Sequence, residues 1–132
     1  MIKVEYVEIK QQIKSDVVNE EISRQVEIFF GINAKEALAS IEKRNLSGTT
    51  KIEKDFYLPH VETNAQEQGI LLIHYYDLNN TKQTALVMVV NSRNPDKKLE
   101  EIMGILLNSK NINKMKHCNS NEEFRRLIQE GD

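Results

Sequence analysis

Two apolar runs near the middle of the chain constrain its fold more than any other feature. The first, Gly69–Tyr76, is apolar at nearly every position, which is typical of a strand covered on both faces. Polar turn residues at 77–82 separate it from a second, β-branched run, Thr84–Val90, so the two can pair as a hairpin. A sheet with two covered faces needs helices to cover it.

Helical periodicity flanks this hairpin on both sides. Apolar residues recur at helical spacing from about Val18, and Gly31 is a plausible end for that helix. Asn33, with Glu36 three residues later, has the pattern of a helix cap, and the helix it opens is predicted to end near Arg44-Asn45. A Ser/Gly/Thr loop, 46–50, follows it.

Two more helices are predicted in the second half of the chain, and one strand at its beginning. Asn94-Pro95 is a favourable helix start, and Ser120 with Glu123 is a capping pair for the last helix. Alternation over residues 2–6 indicates a half-buried strand, and 56–58 is a strand candidate. The apolar positions of the two helices are Leu99, Ile102, Met103, Leu106, Phe124, Leu127 and Ile128. Interleaved strands and helices predict one α/β domain over residues 1–132, with helices packed on a mixed sheet.

Composition excludes several classes of function. The net charge of −2 comes with interspersed acids and bases, so no basic surface for nucleic acid is expected. No apolar run approaches the roughly 20 residues of a membrane helix, so no membrane insertion is expected. Cys118 is the single cysteine, which excludes an internal disulfide and fits a reducing, cytoplasmic location.

Three histidines are candidates for chemistry. His60 follows Pro59 at the predicted exit of a strand, where a side chain can be held firmly and still meet solvent. His74 lies within an apolar strand, which favours a hydrogen-bonded core histidine. His117 beside Cys118 is weak evidence for a metal, because a zinc site needs more ligands. Neither a metal site nor a metal-dependent hydrolase is therefore predicted.

The surroundings of His60 suit a phosphoryl group. A neutral imidazole is a good nucleophile near pH 7, and phosphoryl transfer mainly requires that the phosphoryl oxygens be neutralised and held in line. Arg44 can supply a guanidinium, and Thr49 or Thr50 a hydroxyl. The alternative for Arg44 is a solvated cation that complements the helix dipole. The sequence has no Gly-x-Ser-x-Gly elbow and no glycine-rich phosphate loop.

The pattern Arg44-x5-Thr50-x9-His60, with Pro59 before the histidine, resembles the EIIA domains of the mannitol/fructose type (type 2) of the bacterial phosphoenolpyruvate:sugar phosphotransferase system. The order of predicted elements is similar over essentially the whole chain. The resemblance implies a three-layer sandwich, a mixed β-sheet flanked by helices. It implies that His60 accepts a phosphoryl group from HPr and passes it to a cysteine of an EIIB domain or protein. Arg44 would contact the phosphoryl oxygens and Thr50 would orient the histidine or the phosphate. No cofactor is implied.

The sequence departs from this family at two positions. Lys98 stands where members that transfer phosphate usually have a second histidine, and a lysine can act there only as a point charge. Glu62 stands close behind the Pro-His pair, where an inward-pointing carboxylate would repel phosphate. The resemblance leaves open a sugar-uptake component and the sugar-sensing domain of a transcription regulator or antiterminator, which are often degenerate around the second histidine. The alternative is a non-catalytic interaction domain with this fold, so activity as a phosphocarrier stays open. The sequence also leaves open the sugar and the oligomeric state.

Overall fold

The computed structural model describes residues 2–65 and 67–130, which form an α/β fold, as predicted. The strands are β1 (Ile2–Gln12), β2 (Lys51–Glu53), β3 (Phe56–Tyr57), β4 (His60–Glu62), β5 (Gln68–Tyr76) and β6 (Lys82–Val90). The helices are α1 (Val18–Phe30), α2 (Ala34–Leu46), α3 (Lys97–Leu106), α4 (Ser109–Lys116) and α5 (Asn121–Glu130), and a 3-10 turn, Ser15–Val17, precedes α1. None of the helices in the described ranges is long and apolar enough to cross a membrane.

The described strands form one mixed sheet in the order β1-β5-β6-β3-β2, and β4 also pairs with β6. β5 and β6 are antiparallel, with a register running from Gly69 opposite Val89 to Tyr76 opposite Lys82, which confirms the predicted hairpin. β1 is parallel to β5, while β3 and β4 are both parallel to β6.

The sheet separates two hydrophobic cores. The three layers of the fold are helices α3, α4 and α5, the sheet, and helices α1 and α2. Alternation along β5 places Leu72 in the core beneath α3, α4 and α5, whereas Leu71 belongs to the core beneath α1 and α2. Phe124 of α5 fills the first core and Val26 of α1 the second, both fully buried. The apolar run is therefore covered on both faces, as its composition predicts.

The helix ends show which sequence patterns determine boundaries. Gly31 ends α1 in the left-handed region, at φ 70°, and Asn33 opens α2 by accepting two backbone N–H bonds. Ser120 caps α5 by accepting the N–H of Glu123 at 3.1 Å. The predicted start of α3 at Asn94-Pro95 is wrong, because the side chain of Asp96 accepts the first free N–H groups of the helix.

Candidate functional site

His60 lies directly after a break in the strand pairing along β6. β3 and β4 both run parallel to β6, so they are two parts of one path broken at Leu58-Pro59. The carbonyl of Pro59 accepts the N–H of Met88 at 2.9 Å, and His60 then pairs with Met88. The expectation that His60 sits at the exit of a strand is wrong in this detail. It is the first residue of β4, because pairing with β6 resumes directly after the proline.

The ring of His60 is half-buried and held by the chain itself. Its Nδ1 lies 3.2 Å from the carbonyl oxygen of Leu58, and a carbonyl oxygen can only accept. This contact assigns the proton of the neutral ring to Nδ1. Nε2 then carries the free lone pair and is the nucleophilic nitrogen of the ring. The backbone bonds Nδ1 and leaves Nε2 available.

Electrostatics keep this ring neutral. Burial lowers the pKa of His60 below its usual value, and the positive charge of Arg44 lowers it further. The bond to Leu58 and the charge of Glu62 act in the opposite direction without reversing the shift. At neutral pH the uncharged form therefore predominates, which is the form that can attack phosphorus.

Arg44 lies on α2, in a helical layer that covers the sheet, and its charge acts on the pKa of His60. It lies exposed in the last turn of α2, a helix that packs on β4. Ser40, one turn earlier, accepts the N–H of Glu62 through its hydroxyl at 2.8 Å, so α2 is tied directly to the strand that carries His60. The guanidinium is thus an exposed charge at the edge where His60 begins its strand.

Thr50 is joined to His60 through the backbone. Its carbonyl accepts the N–H of Leu58 at 2.8 Å, and the carbonyl of Leu58 accepts from the histidine ring. The neighbouring Thr49 uses its hydroxyl to accept the N–H of Lys51 at 3.0 Å. The loop after α2 therefore fixes the residue that orients His60.

Glu62 and Lys98 are engaged in other contacts. Both carboxylate oxygens of Glu62 bind Ser92, one from its N–H at 3.2 Å and the other from its hydroxyl. The ammonium of Lys98 lies 3.8 Å from Glu101 on the same helix, and both side chains are 68% exposed. Leu58 links His60 to Thr50, and the charges of Arg44 and Glu62 act on the pKa of His60, while Lys98 forms its ion pair within α3.

Sequence reasoning missed Ser40 and Ser92. Each fixes β4 or Glu62 by a bond between residues distant in sequence, and an isolated serine carries no pattern that predicts such a partner. The carbonyl of Leu58 was equally unpredictable, since any residue could supply it.

The other histidines have structural surroundings. His74 is fully buried, with Nδ1 3.0 Å from the hydroxyl of Thr84 and Nε2 3.0 Å from the carbonyl of Cys118, which confirms a hydrogen-bonded core histidine. Burial lowers its pKa to about 4. His117 bonds the carbonyl of Asn113 at 2.8 Å. Within residues 2–65 and 67–130 no three His, Cys, Asp or Glu side chains are grouped to hold a metal ion.

Comparison with known proteins identifies the family. Residues 1–131 match the family described as phosphoenolpyruvate-dependent sugar phosphotransferase system, EIIA 2. The fold is similar to that of the nitrogen regulatory protein IIA-Ntr from Neisseria meningitidis, with a TM-score of 0.66, 12% identity and coverage of 94% of this chain and 92% of that one. It is also similar to a putative PTS IIA (PtxA) from Streptococcus mutans, with a TM-score of 0.61, 15% identity and coverage of 98% and 87%. No curated protein sequence matches. The match over nearly its whole length shows that the chain belongs to the EIIA type 2 family of the sugar phosphotransferase system.

Proposed function

We propose that His60 accepts a phosphoryl group from HPr through Nε2. The observation that carries this proposal is the bond between Nδ1 and the carbonyl of Leu58, which leaves Nε2 as the free nucleophile. The lowered pKa of His60 supports it, because a neutral ring is available at physiological pH. As a partner of HPr, the domain would work in the cytoplasm.

In the proposed step the Nε2 lone pair attacks phosphorus as the bond to the donor histidine of HPr breaks. The electron pair of that bond returns to the donor ring, while the ring of His60 gains positive charge. The Nδ1–H bond to Leu58 strengthens as this charge develops, since bonds from charged donors are the stronger ones. Arg44 would neutralise the phosphoryl oxygens and Thr50 would hold Leu58 in place.

The phosphoryl group would pass from His60 to a cysteine of an EIIB domain or protein. Ser92 binds both oxygens of the Glu62 carboxylate, which weakens the repulsion that its position suggests. Lys98 pairs within its own helix and cannot replace the hydrogen bonding of a neutral histidine. This favours a sugar-sensing domain of a transcription regulator or antiterminator over a fast carrier in sugar uptake.

Phosphorylation with HPr, phosphoenolpyruvate and the first enzyme of the system tests the proposal. We expect acid-labile label on the wild-type chain and on His117→Ala, whose exposed histidine serves as the matched control. His60→Ala should carry none. Label that survives in His60→Ala refutes the assignment of the acceptor.

Three further outcomes separate the possible functions. Rapid loss of the label to an EIIB protein would indicate a transport component, whereas a phospho-form that persists with each EIIB offered would favour a regulator. A wild-type chain that takes no label from HPr would indicate an interaction domain without phosphate chemistry.

A further inference from the structure

α2 lies on the side of β4 that has no strand neighbour. Among the described strands, β4 pairs only with β6. The carbonyl of Pro59 and the N–H of Thr63 both bond to β6, so the backbone of every second residue faces that strand. The N–H of Glu62 therefore points to the opposite side, where the hydroxyl of Ser40 accepts it at 2.8 Å. Ser40 thus supplies the acceptor that a further strand would supply in the middle of a sheet.

The helix runs antiparallel to this strand. Glu36, near the beginning of α2, lines one surface cleft together with Asn64, which follows β4. Asn45, near the end of α2, lines another cleft together with Pro59, which precedes β4. The later a residue stands in α2, the earlier is the part of β4 that lies beside it.

This arrangement brings Arg44 level with His60. Ser40 and Arg44 are four residues apart, so they lie on the same face of α2 and are separated by about 6 Å along its axis. Glu62 and His60 are two residues apart in β4, which corresponds to about 7 Å. Because the two directions are opposite, the bond between Ser40 and Glu62 fixes the register in which the arginine reaches the histidine.

The guanidinium of Arg44 depends on its helix for its position. Within the described part of the chain it forms neither a hydrogen bond nor an ion pair. Ala37 and Ile41 of α2 are buried in the same core as Val61 of β4. Such apolar contact is non-directional and tolerates sliding, whereas a hydrogen bond specifies one register. The bond made by Ser40 is therefore the contact that determines where the last turn of α2 lies along β4.

We propose that Ser40 is a positioning residue, whose bond to β4 places the guanidinium of Arg44 beside the ring of His60. Its role in catalysis rests on the proposed function, because a placed cation serves transfer only if His60 receives a phosphoryl group. Without the bond, the last turn of α2 would shift along the strand while its apolar contacts remain. Arg44 would then neutralise the phosphoryl oxygens less well, since this contribution depends on close positioning.

A nuclear magnetic resonance titration of the His60 ring in the full chain tests the placement. Arg44→Gln should raise the pKa of His60, because it removes a charge that lowers it. In a Ser40→Ala background the same change should raise it about half as much, since the interaction weakens with distance. Ser40→Thr keeps the hydroxyl and should preserve the full rise. Ser23→Ala is the matched control, because the hydroxyl of Ser23 bonds within α1, to the carbonyl of Asn19.

Transfer from phospho-HPr gives a second measurement. Ser40→Ala should lower kcat about tenfold and leave the KM for phospho-HPr close to that of the wild type, and Ser40→Thr should restore kcat. Alanine is the best helix former, so α2 is expected to persist in this variant. Ser40→Cys, whose sulfur is a weak acceptor, replaces it if Ser40→Ala does not fold.

Three results would overturn the inference. The first is a rise in the pKa of His60 on Arg44→Gln that is equal with and without the Ser40 hydroxyl. The second is a Ser40→Thr variant that behaves as Ser40→Ala, and the third is a kcat of Ser40→Ala equal to that of the wild type. A wild-type chain that takes no label from phospho-HPr refutes the proposed function instead, and the titration then decides alone whether Ser40 places Arg44.

Discussion

Acidification should destabilise this fold through His74, a histidine that the proposed chemistry does not use. Its ring lies fully buried between β5 and β6, where Cys118 and Thr84 bond its two nitrogens. A carbonyl accepts only, so Nε2 carries the proton and Nδ1 accepts from the hydroxyl of Thr84. A second proton on Nδ1 would break that bond and place a charge inside the core.

The magnitude follows from the two pKa values. Burial lowers the pKa of His74 from 6.5 to about 4, so the unfolded chain takes up the proton first as the pH falls. The free energy of unfolding therefore decreases below pH 6.5 and stops decreasing below about pH 4. The full loss is about 3 kcal/mol, of which about 2 kcal/mol appears between about pH 7.5 and about pH 5.

Urea unfolding followed by circular dichroism at those two pH values measures this loss. His74→Gln lacks the titrating ring, so its stability should fall by about 2 kcal/mol less than that of the wild type over the same interval. His117→Gln, which changes an exposed histidine, should behave as the wild type. Equal losses in the wild type and His74→Gln would refute the reasoning, whatever the absolute stability of the variant.

Opposite charges should move the pKa of His60 in opposite directions. Arg44→Gln should raise this pKa and Glu62→Gln should lower it, as measured by titrating the ring protons of His60, and shifts of the same sign would contradict the charge assignment. Truncation of the fully buried Phe124 to alanine should cost about 3–5 kcal/mol in urea unfolding. Phe30→Ala, at a partly exposed position, should cost clearly less, and equal costs would contradict the assignment of Phe124 to the core.

The central part of the fold was predictable because its determinants are local. An uninterrupted apolar run of strand length requires two covering layers, and Asn33 and Ser120 cap the helices that directly follow them. The missed helix, α4, spans eight residues, of which only Ile112 and Met115 are apolar and buried. Two apolar positions cannot establish a helical period, so tertiary packing decides this element.

The start of α3 shows a different limit. Asn94 and Asp96 are both good capping residues, and only the structure shows which one is available. The carbonyl of Asn94 accepts from the side chain of Gln68 at 3.0 Å, while its N–H bonds back to Asn91, so its backbone belongs to a turn. Asp96 is left to cap the helix. The competing bonds come from residues distant in sequence, which local patterns do not encode.

The same distinction applies to the proposed site. Spacing along the chain predicts Arg44, Thr50 and His60 as site residues and suggests a hydroxyl role for Thr50. In the structure the backbone carbonyl of Thr50 accepts the N–H of Leu58. Glu62 is directed by Ser92, on the loop after β6. Motif spacing therefore proposes residues for the site, whereas the bonds that they form depend on strand pairing.

The state of the His60 ring follows from that pairing. The carbonyls of Asp55 and Pro59 accept from β6, and alternation turns the carbonyl of Leu58 to the outer side of the sheet. On that side Thr50 takes the N–H of Leu58, and the Leu58 carbonyl accepts from Nδ1 of His60. If the pairing of β2 with β3 continued past Tyr57, this carbonyl could bond β2 instead. Pairing of β2 with β3 reaches only to Lys51 opposite Tyr57. The tautomer that exposes Nε2 is thus set by the end of this strand pairing next to Leu58 rather than by a second side chain.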